Sequence, residues 1–315
     1  MPVVRASVDW SGMRLKSVVA AAAAVALSGL SGVMFGSGSA AANPGCPGLY
    51  VVAIPGTWET GPDKHDGMHG PGMLAGVTRD LPSDSRVDYV SYPATAFPWE
   101  GDVYGKSKRI AVQNADGMIK AMAAQCAATK IAIVGYSQGA DAAGDVAAQI
   151  GTGVGIVPPN RIAGVGLISD PERSPTDAQV GPVAGGAGAE GPRPGGFGFV
   201  SDRVRTICDP QDLYCSTKSE DFVTRFAGFL AGASDPNPAN MWRYQLEAGS
   251  IIGDLMSHGG IGTLQSQISN GANKQRVQEL EKFYGSGAHT AYGSYRVGGG
   301  DTATSWMHNW ISGMA

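Results

Sequence analysis

The feature that most constrains the fold is the stretch IAIVGYSQGADAAGD, residues 131–145. There an apolar strand pattern passes through one tight turn straight into a small-residue helix. A continuous apolar run bounded by turn residues reads as a strand buried on both faces, the pattern of a parallel sheet between helical layers. The strand is read over Lys130 to Tyr136 and the helix from Ser137 to about Ile150. Leu49 to Ile54 (LYVVAI), Val87 to Tyr92 (VDYVSY), Ile162 to Ser169 (IAGVGLIS) and Val204 to Ile207 (VRTI) supply four more runs of this kind. Residues 104–125 carry helical periodicity, with Ile110, Val112, Met118, Ile119 and Met122 on one face. Strands alternating with helices predict an α/β fold with a mainly parallel sheet and helices on both faces.

At the turn sits Ser137, flanked as Gly-Tyr-Ser-Gln-Gly. With 47 glycines in 315 residues, a Gly-x-Ser-x-Gly string alone carries little weight. Its setting carries more. A strand–turn–helix places the serine Oγ at the strand's C-terminal end, beside a helix N-terminus that favours negative charge. Ser137 is thus a candidate nucleophile, and the N–H of Gln138 a candidate oxyanion donor. The bland alternative is a helix N-cap serine.

Composition narrows the class. A charged fraction of 16% and a net charge of −4 leave no basic stretch dense enough for a phosphate backbone, so nucleic acid is excluded as an expected partner. Met13-Arg14-Leu15-Lys16 precedes the apolar run SVVAAAAAVALSGLSGVMF, and small residues close it at Ser39-Ala40-Ala41-Ala42. That order of parts predicts a secretory signal peptide over residues 1–42, cleaved after Ala42. A retained membrane anchor is the alternative, although the run is only modestly apolar. Four cysteines follow, Cys46, Cys126, Cys208 and Cys215. In an exported chain they imply two disulfides in one of three pairings, and the spacing permits a local Cys208–Cys215 clasp.

The Gly/Pro-rich residues 181–199 read as a long surface loop near a substrate entrance. From Thr217 the pattern turns helical. Thr217-x-x-Glu220 has capping-box spacing, and Phe222, Phe226, Phe229 and Leu230 fall on one face. Residues 240–257 and 274–284 also read as helices, so 216–288 is expected as a helical insertion.

A nucleophilic serine needs a base, and the base an orienting acid. Strand–elbow–helix hydrolases hold them in the chain order Ser, acid, His. Downstream histidines are His258, His289 and His308, and candidate acids are Asp170, Asp209, Asp212, Asp221 and Asp254. A carboxylate that must keep one geometry suits the cysteine-flanked turn CDPQDLYC, which contains both Asp209 and Asp212. His65-Asp66-Gly67-Met68-His69 lacks helical support and reads as a surface loop rather than a metal site.

GYSQGA after a strand, the Cys-x-x-x-Asp-x-x-Cys loop and His289-Thr290-Ala291-Tyr292-Gly293 together resemble the cutinase family of serine esterases. The resemblance implies an α/β-hydrolase fold with Ser137 as nucleophile, Asp212 as acid and His289 as base. It also implies Thr57, in Pro55-Gly56-Thr57-Trp58-Glu59, as the oxyanion-hole hydroxyl beside Gln138, and disulfides Cys46–Cys126 and Cys208–Cys215. PGTWE and GPRPGGFG (191–198) are similar to the actinobacterial cutinase-like cell-envelope lipases. One departure is the 77 positions between Asp212 and His289 (289 − 212), where true cutinases have a short link. The insertion there looks like that of the phage mycolyl-arabinogalactan esterases. Phe222, Phe226, Phe229, Met241, Trp242, Leu255 and Met256 are expected either to line an acyl channel or lid, or to pack the insertion onto the sheet.

The function so implied is a secreted, monomeric lipid-ester hydrolase of the cell envelope, with peripheral membrane contact and no metal or organic cofactor. A mycolyl ester hydrolase (mycolyl-arabinogalactan or trehalose mycolate type, with an envelope glycolipid as substrate) or a thioester hydrolase of the cell envelope is the alternative within the same chemistry. A non-catalytic envelope-binding protein is the alternative from another class.

Overall fold

A computed structural model describes residues 45–61, 72–236, 238 and 241–315. The signal peptide expected over 1–42 and the His65–His69 stretch lie outside the described residues.

The chain runs β1 (Leu49–Ile54), α1 (Ala75–Thr78), β2 (Ser85–Tyr89), α2 (Tyr104–Gln125), β3 (Lys130–Tyr136), α3 (Gln138–Gly151), β4 (Ile162–Ile168) and β5 (Val204–Ile207). It continues through α4 (Phe222–Gly232), α5 (Met241–Ser257), α6 (Ile261–Gln267) and α7 (Asn270–Ser286). A small ribbon of β6 (Arg296–Gly298) and β7 (Asp301–Thr302) and the helix α8 (Ala303–Ser312) complete it. The strands β1 to β5 form one parallel sheet in the order β2-β1-β3-β4-β5. The strand order reverses between β1 and β3, which opens a crevice at their C-terminal ends.

The apolar runs are continuous because both faces of the sheet are covered. Tyr50, Val52 and Ile54 of β1 and Ile131 and Ile133 of β3 pack with Ala111, Ile119 and Val146 from α2 and α3. Their neighbours Leu49, Val51, Ala53, Ala132 and Val134 pack on the other face with Val77 of α1 and Met307 and Ile311 of α8. Period-two alternation thus sorts one strand's residues between two cores.

Both disulfides are formed, Cys46–Cys126 and Cys208–Cys215, with Cα–Cα separations of 5.6 and 5.9 Å. The first ties the chain ahead of β1 to the end of α2. Closing a loop of 80 positions restricts the unfolded chain by about 4 kcal/mol in the chain-entropy model.

Three expectations change. Residues 181–199 are not a surface loop throughout: Ala184, Ala189, Glu190, Arg193 and Phe197 are buried. Their glycines let the backbone pass close to its neighbours while charged side chains turn inward to ion pairs. The helix after β5 is capped by Asp221, whose carboxylate accepts from the Thr224 N–H. Thr217 is buried instead, its hydroxyl donating to Leu213 O at 2.6 Å. Finally, Phe222 and Leu255 are buried with Ile251, and Phe226 and Phe229 pack against them, so these residues form the helices' own small core. Met241, Trp242 and Met256 are exposed.

Candidate active site

The turn between β3 and α3 puts Ser137 at φ +55°, ψ −125°. This is a strained backbone for a residue with a Cβ, and it lifts the side chain clear of the sheet. Two glycines permit it. A Cβ on Gly135 would lie 2.2 Å from Gly139 O, and one on Gly139 would lie 2.0 Å from Ile54 O. The Ser137 N–H donates to Ile168 O at 2.9 Å, which fixes the elbow to the end of β4.

His289 reaches this serine from beyond α7. Its Nε2 lies 2.8 Å from Ser137 Oγ, and its Nδ1 lies 2.9 Å from Asp212 Oδ2. With Nδ1–H donated to the carboxylate, the Nε2 lone pair faces the serine hydroxyl, the polarity needed to accept its proton. Tyr136 donates its hydroxyl to His289 O at 2.6 Å and so fixes the loop that carries the ring.

Asp212 is fully buried in the cysteine-closed turn after β5. Its Oδ2 also accepts from the hydroxyls of Ser169 (2.6 Å) and Tyr292 (2.8 Å), and its Oδ1 from the Tyr214 N–H (3.0 Å). Burial alone would raise its pKa, but the hydrogen bonds from His289, Ser169 and Tyr292 outweigh it and hold the carboxyl below its ordinary range.

Thr57 follows β1, across the crevice from Ser137. Its turn is braced by Glu59, whose carboxylate accepts from the Gly56 and Met73 N–H groups at 2.8 Å each. Thr57 Oγ1 lies 3.5 Å from Gln138 Oε1, while the Gln138 amide donates to Thr95 O at 3.0 Å. Thr57, Ser137 and His289 share a cavity of about 560 Å³ whose walls include Phe97, Phe283 and Tyr284. The last two come from α7, so this helix, rather than the expected α4 and α5, supplies the apolar wall.

The remaining candidates lie elsewhere. Asp170 is buried in an ion pair with Arg193 (2.9 Å). Asp209 accepts from the Gln211 N–H, Asp221 pairs with Arg276 and Asp254 with Arg225. His258 is exposed on the segment after α5, and His308 packs α8 onto α1 through Val77 O. Carboxylate oxygens of Asp141, Glu172 and Glu190 lie close enough to share a cation. Lys108 Nζ already stands among them, at 3.0, 3.3 and 3.3 Å, and supplies that charge.

Nothing in the sequence by itself assigns a role to Ser169, Tyr292, Tyr214, Glu59, Phe283 or Tyr284. Tyr292 stands inside the quoted His-Thr-Ala-Tyr-Gly stretch and Ser169 at the end of a predicted strand. The signal available was proximity to a motif, without the contact that gives it meaning.

A parallel sheet with a serine at a strand–helix elbow, a histidine and a buried carboxylate defines an α/β-hydrolase. The cutinase family model matches residues 45–231, more than half of the chain, and the chain belongs to the cutinase family. The match ends within α4, ahead of His289. The chain is 33% identical over 202 residues to the carboxylesterase Culp6 homolog of Corynebacterium glutamicum. That alignment covers 54% of this chain and 65% of the relative's length, just under two thirds. Among solved structures, lysin B from Mycobacteriophage D29 is 19% identical with a TM-score of 0.48, over 85% of this chain and 99% of that one. The catalytic core of acetyl xylan esterase from Trichoderma reesei is 20% identical with a TM-score of 0.45, over 65% and 99%.

Proposed function

We propose that this protein is a secreted serine ester hydrolase that cleaves lipid esters through an acyl-enzyme. The observation that carries the reading is the line Ser137 Oγ–His289–Asp212, with contacts of 2.8 and 2.9 Å. In this mechanism His289 Nε2 takes the Ser137 proton as Oγ attacks the ester carbonyl carbon. The carbonyl oxygen becomes an oxyanion, which the Gln138 N–H and the Thr57 hydroxyl stabilise. The tetrahedral intermediate collapses, the imidazolium returns its proton to the departing alkoxide, and the acyl group stays on Ser137. Water then attacks the acyl-enzyme with His289 again as base, releasing the carboxylic acid and restoring the serine. Asp212 keeps Nδ1 protonated and stabilises the imidazolium.

A lipid substrate is favoured by the apolar cavity and by its rim. Phe97 and Trp99 stack with centroids 4.5 Å apart, and Trp58 and Trp99 are 61% and 79% exposed. Aromatic surface beside an apolar pocket suits a substrate presented in aggregated form. The two disulfides accord with an oxidising compartment outside the cell membrane. A mycolyl ester is the second reading, favoured by the α7 wall of Phe283 and Tyr284, which extends the cavity beyond the sheet.

The test is steady-state hydrolysis of a chromogenic butyrate ester by wild type and by Ser137→Ala. The expected loss in kcat is about 10³-fold or more. A variant that keeps the wild-type rate contradicts the reading.

A further inference from the structure

We infer that Ser169 is a positioning residue of this site, its hydroxyl locking the Asp212 carboxylate and the His289 ring into register with Ser137. The inference rests on the hydrolase reading above and extends it.

Ser169 is the first residue after β4, the strand between the one that leads to Ser137 and the one that leads to the Asp212 turn. It is fully buried, and its φ is +56°. Glycine adopts that left-handed backbone freely, whereas a side chain there costs free energy unless something compensates. The compensation is polar. Ser169 Oγ donates to Asp212 Oδ2 at 2.6 Å and lies 3.1 Å from His289 Nδ1. The Nδ1–H is therefore shared between Asp212 Oδ2 and Ser169 Oγ, and rotating the ring away breaks both contacts. The Ser169 N–H donates to Ile207 O at 2.9 Å, so the hydroxyl is anchored to the sheet rather than to a loop. The Tyr292 hydroxyl, from the segment between α7 and β6, donates to the same carboxylate oxygen at 2.8 Å. The strained backbone thus aims one hydroxyl at the joint between acid and base.

Two substitutions separate the hydroxyl from the backbone. Ser169→Ala keeps the unfavourable φ and loses Oγ; Ser169→Gly relieves the φ and loses Oγ. Both should lower kcat on a short chromogenic ester by about 10- to 100-fold, the scale of a small misplacement of a reacting group, with KM within about twofold. The acid limb of the kcat profile should move to higher pH, because Asp212 loses one of the donors that favour its ionised form. Proton NMR gives a readout independent of turnover. The low-field signal of the His289 Nδ1–H, present in wild type, should broaden or shift upfield in both variants.

If Ser169→Gly keeps the wild-type kcat, pH profile and Nδ1–H signal, Ser169 serves only the chain's exit from β4 and the inference is overturned. If wild type turns over no ester but the Nδ1–H signal still responds to both substitutions, the hydrolase reading fails while the positioning role stands.

Discussion

Tyr214 and His289 pack their rings with centroids 4.5 Å apart, and the Tyr214 hydroxyl meets that of Tyr284 at 3.1 Å. The contact connects the imidazole to α7, which also places Phe283 at a centroid distance of 5.6 Å from Tyr214. The helices between Asp212 and His289 therefore end as a wall of the cavity. Replacing Phe283 and Tyr284 by alanine should lower kcat/KM for long-chain esters by about tenfold, in line with one or two lost apolar contacts. Acetate esters, which do not reach the wall, should be turned over nearly as by wild type. A panel of acyl chain lengths measures the difference, and a uniform loss at every length would assign α7 to stability alone.

Three aspartates lie on the loops that follow β4 and β5, and they should behave differently. Asp212→Asn should cost about 10³- to 10⁴-fold in kcat with the fold intact, because an amide can no longer fix the protonated Nδ1. Asp170→Asn should act on stability, since it leaves the buried Arg193 without one of its partners; breaking such a pair costs about 3–5 kcal/mol. Asp209→Asn, at a partly exposed turn position, should change neither by much. Thermal melts beside kinetics on all three separate the cases.

Asp212 also shapes the response to acid. Its pKa is lowered in the fold, despite burial, by the bonds from His289, Ser169 and Tyr292. A carboxyl depressed in this way stabilises the fold above its unfolded value, and that contribution is lost as pH falls through the folded one. The wild-type Tm should therefore drop below about pH 4, and Asp212→Asn should lack that component of the drop. Calorimetry from pH 7 to pH 3 checks it, with parallel curves as the contrary result.

Glu247 of α5 has the opposite sign. Burial, with Glu172 and Asp141 nearby, pushes its carboxyl up to about 8. A raised acid favours the protonated folded state, so its contribution is complete below the unfolded value and declines as pH rises toward the folded one. Glu247→Gln should therefore be more stable than wild type at pH 8, by about 2–4 °C in Tm for each kcal/mol relieved. The advantage should shrink toward pH 5. A Tm difference independent of pH would place the effect in packing rather than charge.

The sheet was legible because its strands are apolar on both faces and glycine marks the elbow. The reading over Lys130–Tyr136 and Val204–Ile207 coincides with β3 and β5, and 104–125 coincides with α2. What local pattern could not show is long-range pairing of polar groups. No local pattern marks Lys108, Arg193 and Arg243, which meet Asp141, Asp145 and Glu172 in one buried network. The same limit hid Ser169 and Tyr292, whose roles depend on Asp212 being 43 and 80 positions away in the chain. In sequence, Phe222 and Leu255 fit either an acyl channel or packing of the insertion onto the sheet. Apolar periodicity identifies a buried face but not what buries it, and here they bury each other.

The most direct test of the account is covalent capture of the serine. Incubation with a fluorophosphonate probe, followed by peptide mass spectrometry, should place the adduct on Ser137. Ser137→Ala should remain unlabelled, and His289→Ala should label far more slowly. A folded wild-type protein that takes up no probe at Ser137, or a Ser137→Ala variant labelled to the same extent, would contradict it.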